Sequence, residues 1–215
     1  MNVRKQFGSP LPDSLQLTIG DANPDVAGEL ASAFADVSAV RVVEGNLLDL
    51  GSDAVVSPAN SFGDMGGGID KAIDDHHRGE AQTAVVDEIR RRFFGELPVG
   101  TAIVTEVPGG RKPAIVVAPT MRIPGNVARS LNAYLAMRAA LVAVIQYNIA
   151  ADRPIRSLAV PGMCTGVGRM PYARAARQMR GAYDNVLGGG WRTVVHSAMA
   201  PFASDACEFE WTSTR

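Results

Sequence analysis

Residues 57–75 read SPANSFGDMGGGIDKAIDD. The apolar run DAVVS ends there, Asn60 follows, then Gly66, Gly67 and Gly68 in a row, then a helix-like pattern carrying Asp70 and Asp74. Consecutive glycines let a backbone turn sharply and come close to a ligand with no Cβ in the way. A helix that starts directly behind them points its unbonded N–H groups into the same space, which makes an anion site. Strand, glycine loop and helix in that order form the working unit of open α/β sheets, where ligands bind outside the carboxyl ends of the strands.

The rest of the chain repeats the alternation. LQLTI, AVRVVE, DAVVS, TAIVTEV, AIVVA, IRSLAV and TVVHSA read as strands from their β-branched content. Residues 24–37, 69–94, 126–149 and 171–187 carry apolar positions at helical spacing, with a break expected near HHRGE. Pro171 suits a helix start. Strands that alternate with helices imply crossover connections and a sheet covered on both faces. The turn-like PGGRKP is too short for a crossover, so its flanking strands should be antiparallel. The expected fold class is α/β, with a mixed, mainly parallel central sheet between helical layers.

A second glycine-rich stretch, residues 162–169 (GMCTGVGR), also follows a strand and precedes a helix. Two such loops side by side could hold a diphosphate from opposite edges. Neither spells GxxxxGK[ST] or GxGxxG, and no GxSxG or HExxH occurs.

Composition sets the outer bounds. The chain has 215 residues, 47% apolar and 20% charged, which suits one globular domain over residues 15–215 behind a loose lead-in at 1–14. A formal net charge of -1 argues against a duplex nucleic-acid binder. Two cysteines and three histidines give neither a disulfide framework nor zinc spacing, so no metal is expected. No apolar stretch is read as membrane-spanning and no signal-peptide core is visible, so the expected setting is cytoplasmic. The arginines at 90–92 and at 174, 177 and 180 read as solvated helix faces.

The stretch EGNLLDLGSDAVVSPANSFGDMGGGIDKAI resembles the start of a macrodomain, the ADP-ribose-binding family. That family typically reads G-D-I, a buried strand, N-A-A-N, then a triple glycine, a hydrophobic residue and an acid. LAVPGMCTGVGRMP is similar to its second loop. The resemblance covers roughly residues 40–198 and implies a three-layer α-β-α fold, with residues 15–36 as an added β-α unit.

The resemblance also implies roles. Asn60 would bond the distal ribose, and Ser57, standing in place of the family's other asparagine, would support the loop. Asp70 would activate a water. Asp74 lies at i+4 from it, so both carboxylates should face the same way; hydrolase relatives often carry histidine there. Gly66, Gly67 and Gly68, with Ile69 beside them, would cradle the distal ribose and diphosphate. Asp64 could contact ribose, act as a second base, or sit solvated in its loop. Thr165, Gly166, Val167 and Gly168 would offer backbone N–H groups to the phosphates. Cys164 falls where the family often has serine and reads as a small buried filler. Arg169 could add charge to the site or lie on the surface. Asn46 replaces the aspartate that accepts from the adenine amino group, a weaker acceptor without charge. Phe202, with His196 behind it, is the expected adenine-stacking residue.

The implied function is binding of ADP-ribose and hydrolysis of an ADP-ribosyl ester, on protein mono-ADP-ribose or O-acyl-ADP-ribose, by water attack at the distal ribose, with no cofactor. A non-catalytic ADP-ribose reader and an ADP-ribose-phosphate phosphatase remain open, because one fold serves all three. The implied partner is ADP-ribose or an ADP-ribosylated protein or metabolite. No membrane is implied, and nucleic acid enters only as an ADP-ribosylated substrate.

Overall fold

The computed structural model describes residues 15–109, 111–194 and 196–200. Six strands form one sheet: β1 (Gln16–Asp21), β2 (Val40–Glu44), β3 (Ala54–Ser57), β4 (Ile103–Val107), β5 (Arg111–Val117) and β6 (Ser157–Pro161). Their order is β2-β1-β6-β3-β5-β4. All neighbours run parallel except β4 and β5, whose short connection makes them antiparallel as expected. Among the described residues the α-helices given a range are α1 (Pro24–Ala33), α2 (Gly68–His76), α3 (Ala81–Phe93), α4 (Asn132–Ala150) and α5 (Tyr172–Val186).

Side-chain alternation along the strands sorts the helices into two layers. Val56, Val116, Leu158 and Val160 face one way, onto Val26 and Leu30 of α1, Met137 and Leu141 of α4, and Met179 of α5. Val55, Ile115, Val117 and Ala159 face the other way, onto Ile73 of α2 and Val85 and Ile89 of α3. All these side chains are buried. The fold is therefore a three-layer α-β-α sandwich with both sheet faces covered.

Several boundaries depart from expectation. The described residues of TVVHSA form no strand: residues 190–193 and 197–199 are short 3-10 turns. Part of PGGRKP belongs to β5. The helix expected from 126 starts only at Asn132, because residues 126–131 are drawn into a loop. There Val127 N donates to Gly168 O at 2.9 Å, and Ser130 Oγ to Val127 O at 2.7 Å. α4 is long and apolar enough by length and composition to cross a membrane. Its apolar character is accounted for by Ala133, Ala136, Ala140 and Val144, all buried in the core.

His77, just after α2, is fully buried, and neither ring nitrogen has a well-formed hydrogen bond. Burial pulls its pKa below the ordinary histidine value. His76 and Arg111 push the same way, opposed by the Pro113 backbone and Asp74. The folded state thus favours the neutral ring. Its contribution to stability is intact above the unfolded value near 6.5 and is lost as pH falls toward the depressed folded value. His77→Phe is expected to melt progressively higher than the parent as pH drops from 7.5 to 5. A gap that stays constant across that range would remove His77 as an acid-sensitive point.

Candidate functional site

A cleft of about 700 Å³ runs along the carboxyl ends of β2, β1, β6 and β3 and the segment after β5. The glycine loop that follows β3 forms one part of its wall. Asn60 Oδ1 accepts from Phe62 N at 3.0 Å and from Asp64 N at 3.4 Å, so the side-chain carbonyl shapes the loop. Its Nδ2 is the end left to donate. Asp64 lies exposed on the rim, lines the cleft, and turns Oδ1 back to Gly66 N at 3.0 Å. Gly67 stands at the N-cap of α2 with no side-chain cap, so the first N–H groups of α2 remain available at the cleft wall. Gly68 adopts φ +58°, a conformation glycine takes without strain.

Asp70 occupies the first turn of α2 and lines the cleft. Ser57, the last residue of β3 and fully buried, donates its hydroxyl to Asp70 Oδ1 at 2.6 Å. Burial pushes the Asp70 pKa up to about 6; the Ser57 hydrogen bond pulls against this and the nearby Asp64 charge adds to it. The group is thus a carboxylate at pH 7.5 that accepts a proton readily, as a general base requires. Ser57 does more than support the loop: it holds one carboxylate oxygen fixed. Ser57→Ala is expected to move the Asp70 titration above about 6, measurable by ¹³C NMR of the carboxyl carbon in the free protein. An unchanged midpoint would mean the hydroxyl has no electrostatic role.

The second glycine loop makes the middle of the cleft. Cys164, at φ +65°, is buried, and burial pushes its thiol up to about 12, so it is an inert wall group. Thr165 Oγ1 donates to Gly162 O at 3.3 Å, and Gly166, Val167 and Gly168 follow it along the wall. A Cβ at Gly168 would lie 2.6 Å from Cys164 O, so only glycine fits there. Among the described residues lining the cleft there is no lysine, arginine or histidine. An anionic ligand here would be held by backbone N–H groups and helix dipoles.

Asn46, Asn60, Asp64, Gly66, Gly67, Gly68, Ile69, Asp70, Cys164, Thr165, Gly166, Val167 and Gly168 are thus brought together around one cleft. Asp74 is not. Its Oδ1 accepts from Gln82 N at 2.9 Å, so it closes the start of α3, outside the cleft lining. Arg169 is exposed and also outside the lining. Asn46 caps the short turn Leu47–Leu50, with Oδ1 accepting from Leu48 N at 3.1 Å and Nδ2 donating to Asp49 Oδ1 at 3.1 Å. Phe202 lies outside the described residues, and the exposed His196 does not line the cleft.

Gly20, Asp21, Asn23 and Tyr172 also line the cleft and escape the sequence reading. The signal was present. IGDANP places Gly-Asp at a strand exit, and Asn23 then caps α1 by accepting from Asp25 N at 2.9 Å, with Pro24 at the first helical position. The resemblance makes residues 15–36 an added β-α unit; in the sheet their strand is interior, between β2 and β6.

The Macro domain family model matches residues 56–179. A protein of Aeropyrum pernix is 37% identical over 154 residues, 71% of this chain and 74% of its own length. An O-acetyl-ADP-ribose deacetylase of Citrobacter rodentium is 32% identical over 139 residues, 65% and 75% of the two chains. Among solved structures, the Oceanobacillus iheyensis macrodomain with ADP gives a TM-score of 0.54 at 24% identity, covering 67% of this chain and 74% of that one. The macrodomain of Thermus aquaticus DarG gives 0.52 at 25%, covering 65% and 87%.

Proposed function

This chain belongs to the macrodomain family, and from that footing we propose that it binds ADP-ribose and hydrolyses ADP-ribosyl esters. The observation that carries the catalytic half is the half-buried Asp70, held by Ser57 and raised to about 6, at the start of a helix with no side-chain cap. The diphosphate lies between the two glycine loops, against backbone N–H groups. Asn60 Nδ2 donates to a hydroxyl of the distal ribose. Asp70 takes a proton from a water as the water oxygen bonds to C1″ of that ribose. For an ester joined at C1″, the bond from C1″ to the ester oxygen breaks and the carrier leaves as a carboxylate; for an acyl group on another ribose hydroxyl, the water oxygen bonds to the acyl carbon instead, the acyl–oxygen bond breaks, and the freed hydroxyl takes the proton from Asp70. Fixed positioning and preorganised N–H dipoles supply most of the rate. The deacetylase name of the Citrobacter rodentium relative supports an ester substrate.

The test pairs calorimetry with ADP-ribose and turnover of a protein carrying ADP-ribose on acidic side chains, together with O-acetyl-ADP-ribose. Binding with release of ADP-ribose or acetate is the expected result. Binding without release from either substrate would make the chain a reader. No binding at millimolar ADP-ribose would overturn the proposal as a whole.

A further inference from the structure

The strand order fixes how a ligand must lie. Asp70 and Asn60 sit at the exit of β3 and the second glycine loop at the exit of β6. Beyond β6 come β1 and then β2. Strands stand about 4.8 Å apart, so the exit of β1 is roughly 10 Å from that of β3. With the reacting sugar over β3 and the diphosphate over β6, the other half of the ligand falls at the exits of β1 and β2. Asn46, at the β2 exit, has its side-chain carbonyl and amide both engaged in its own turn.

The β1 exit is equipped differently. Asp21 Oδ1 accepts from Asn23 N at 2.9 Å, which anchors the carboxylate. Its Oδ2 has no partner among the described residues and leans over Gly162: a methyl there would meet it at 2.8 Å, and Val26 Cγ1 at 2.6 Å. Gly162 thus keeps the floor open beneath that oxygen. Tyr172, at the start of α5, is half-buried and is the single aromatic side chain among the described residues lining the cleft. Its hydroxyl accepts from Asn23 Nδ2 at 3.5 Å, tying the ring to α1. An aromatic face beside an anchored carboxylate suits a flat, donor-bearing group: a nucleobase with its ribose.

Resting on the ADP-ribose reading above, we propose that the N-terminal β1–α1 unit together with Tyr172 forms the nucleoside subsite, with Tyr172 as the packing platform and Asp21 accepting from nucleoside N–H or O–H groups. The unit lies wholly outside the residues matched by the family model. A stretch read from sequence as an appendage thereby becomes a determinant of ligand choice.

Binding of ADP-ribose, AMP and ribose 5-phosphate tests this in the full chain and in Tyr172→Leu, Tyr172→Phe and Asp21→Asn, with melts to confirm folding. Tyr172→Leu and Asp21→Asn are expected to weaken ADP-ribose and AMP by roughly 10-fold or more and to leave ribose 5-phosphate within about 3-fold. Tyr172→Phe should keep all three within about 3-fold, since the ring remains. Equal losses for all ligands, or no loss for the nucleotides, would overturn the subsite and leave the ADP-ribose reading standing. A parent protein that binds none of the three would overturn both.

Discussion

Asp70→Asn is expected to make the protein more stable at pH 7.5 while cutting turnover by orders of magnitude. The Asp70 pKa lies at about 6 in the fold, against 3.8 for the ordinary group, with burial as the leading cause. Folding therefore takes up a proton between those values, and the ionised side chain burdens the fold. The burden is full above pH 6 and is relieved as pH falls from about 6 to 3.8. Asparagine removes it and still offers Oδ1 to the Ser57 hydroxyl. The gain is about 2 kcal/mol, less than the whole shift implies because the carboxyl edge reaches the solvent of the cleft. Urea unfolding of both proteins at pH 4, 5.5 and 7.5 should show a gap that closes toward acid. Turnover should fall by roughly 10²–10⁴-fold, the range for loss of a general base, with ADP-ribose affinity retained. A variant less stable than its parent at pH 7.5 would mean that something in the fold favours the ionised form.

The second large effect is expected at Gly168. A side chain there meets Cys164 O at 2.6 Å and Val127 Cγ2 at 2.9 Å. Neither can give way cheaply. Cys164 O accepts from Met170 N at 3.0 Å, and Val127 N is held by Gly168 O at 2.9 Å. Gly168→Val must therefore open the loop, costing about 1–3 kcal/mol in stability. It should also weaken ADP-ribose by at least roughly 10-fold, because the loop presents its N–H groups as a set. Gly166→Ala is the matched control. Its Cβ meets nothing within 4 Å, so its melt should stay within about 0.5 kcal/mol of the parent. Equal stability losses at the two glycines would show that loop flexibility, not close approach, sets the requirement.

What could be read from the sequence was what local chemistry dictates. β-branched runs between turn residues located β1 to β6, and the glycine loops identified the cleft. The failures lie where a side chain or segment finds a partner that hydrophobic pattern and propensity do not reveal. TVVHSA has strand composition, but propensity alone does not place a strand, and its described residues fall in or beside 3-10 turns instead. Residues 126–131 lost their helix to the Gly168 carbonyl and to their own Asn126 and Ser130 side chains. Asp74 shares a helix with Asp70, yet the open start of α3 claimed its carboxylate. Ser57 read only as support for the loop because its partner lies thirteen residues on.

The interior position of β1 also governs how the chain comes to fold. β1 meets β2 early, through Leu17 and Val40, once α1 has crossed over between them. Its other edge pairs from Gln16 with Ser157, near the far end of the chain. During synthesis that edge stands open until β2 to β5 have been made, and long-range parallel pairing of this kind is slow. Chains stopped before β6 are expected to be cut readily by protease and to self-associate, whereas chains extended through α5 should resist. Of the six described strands, β1 is made first, and its second edge is sealed only when β6 arrives.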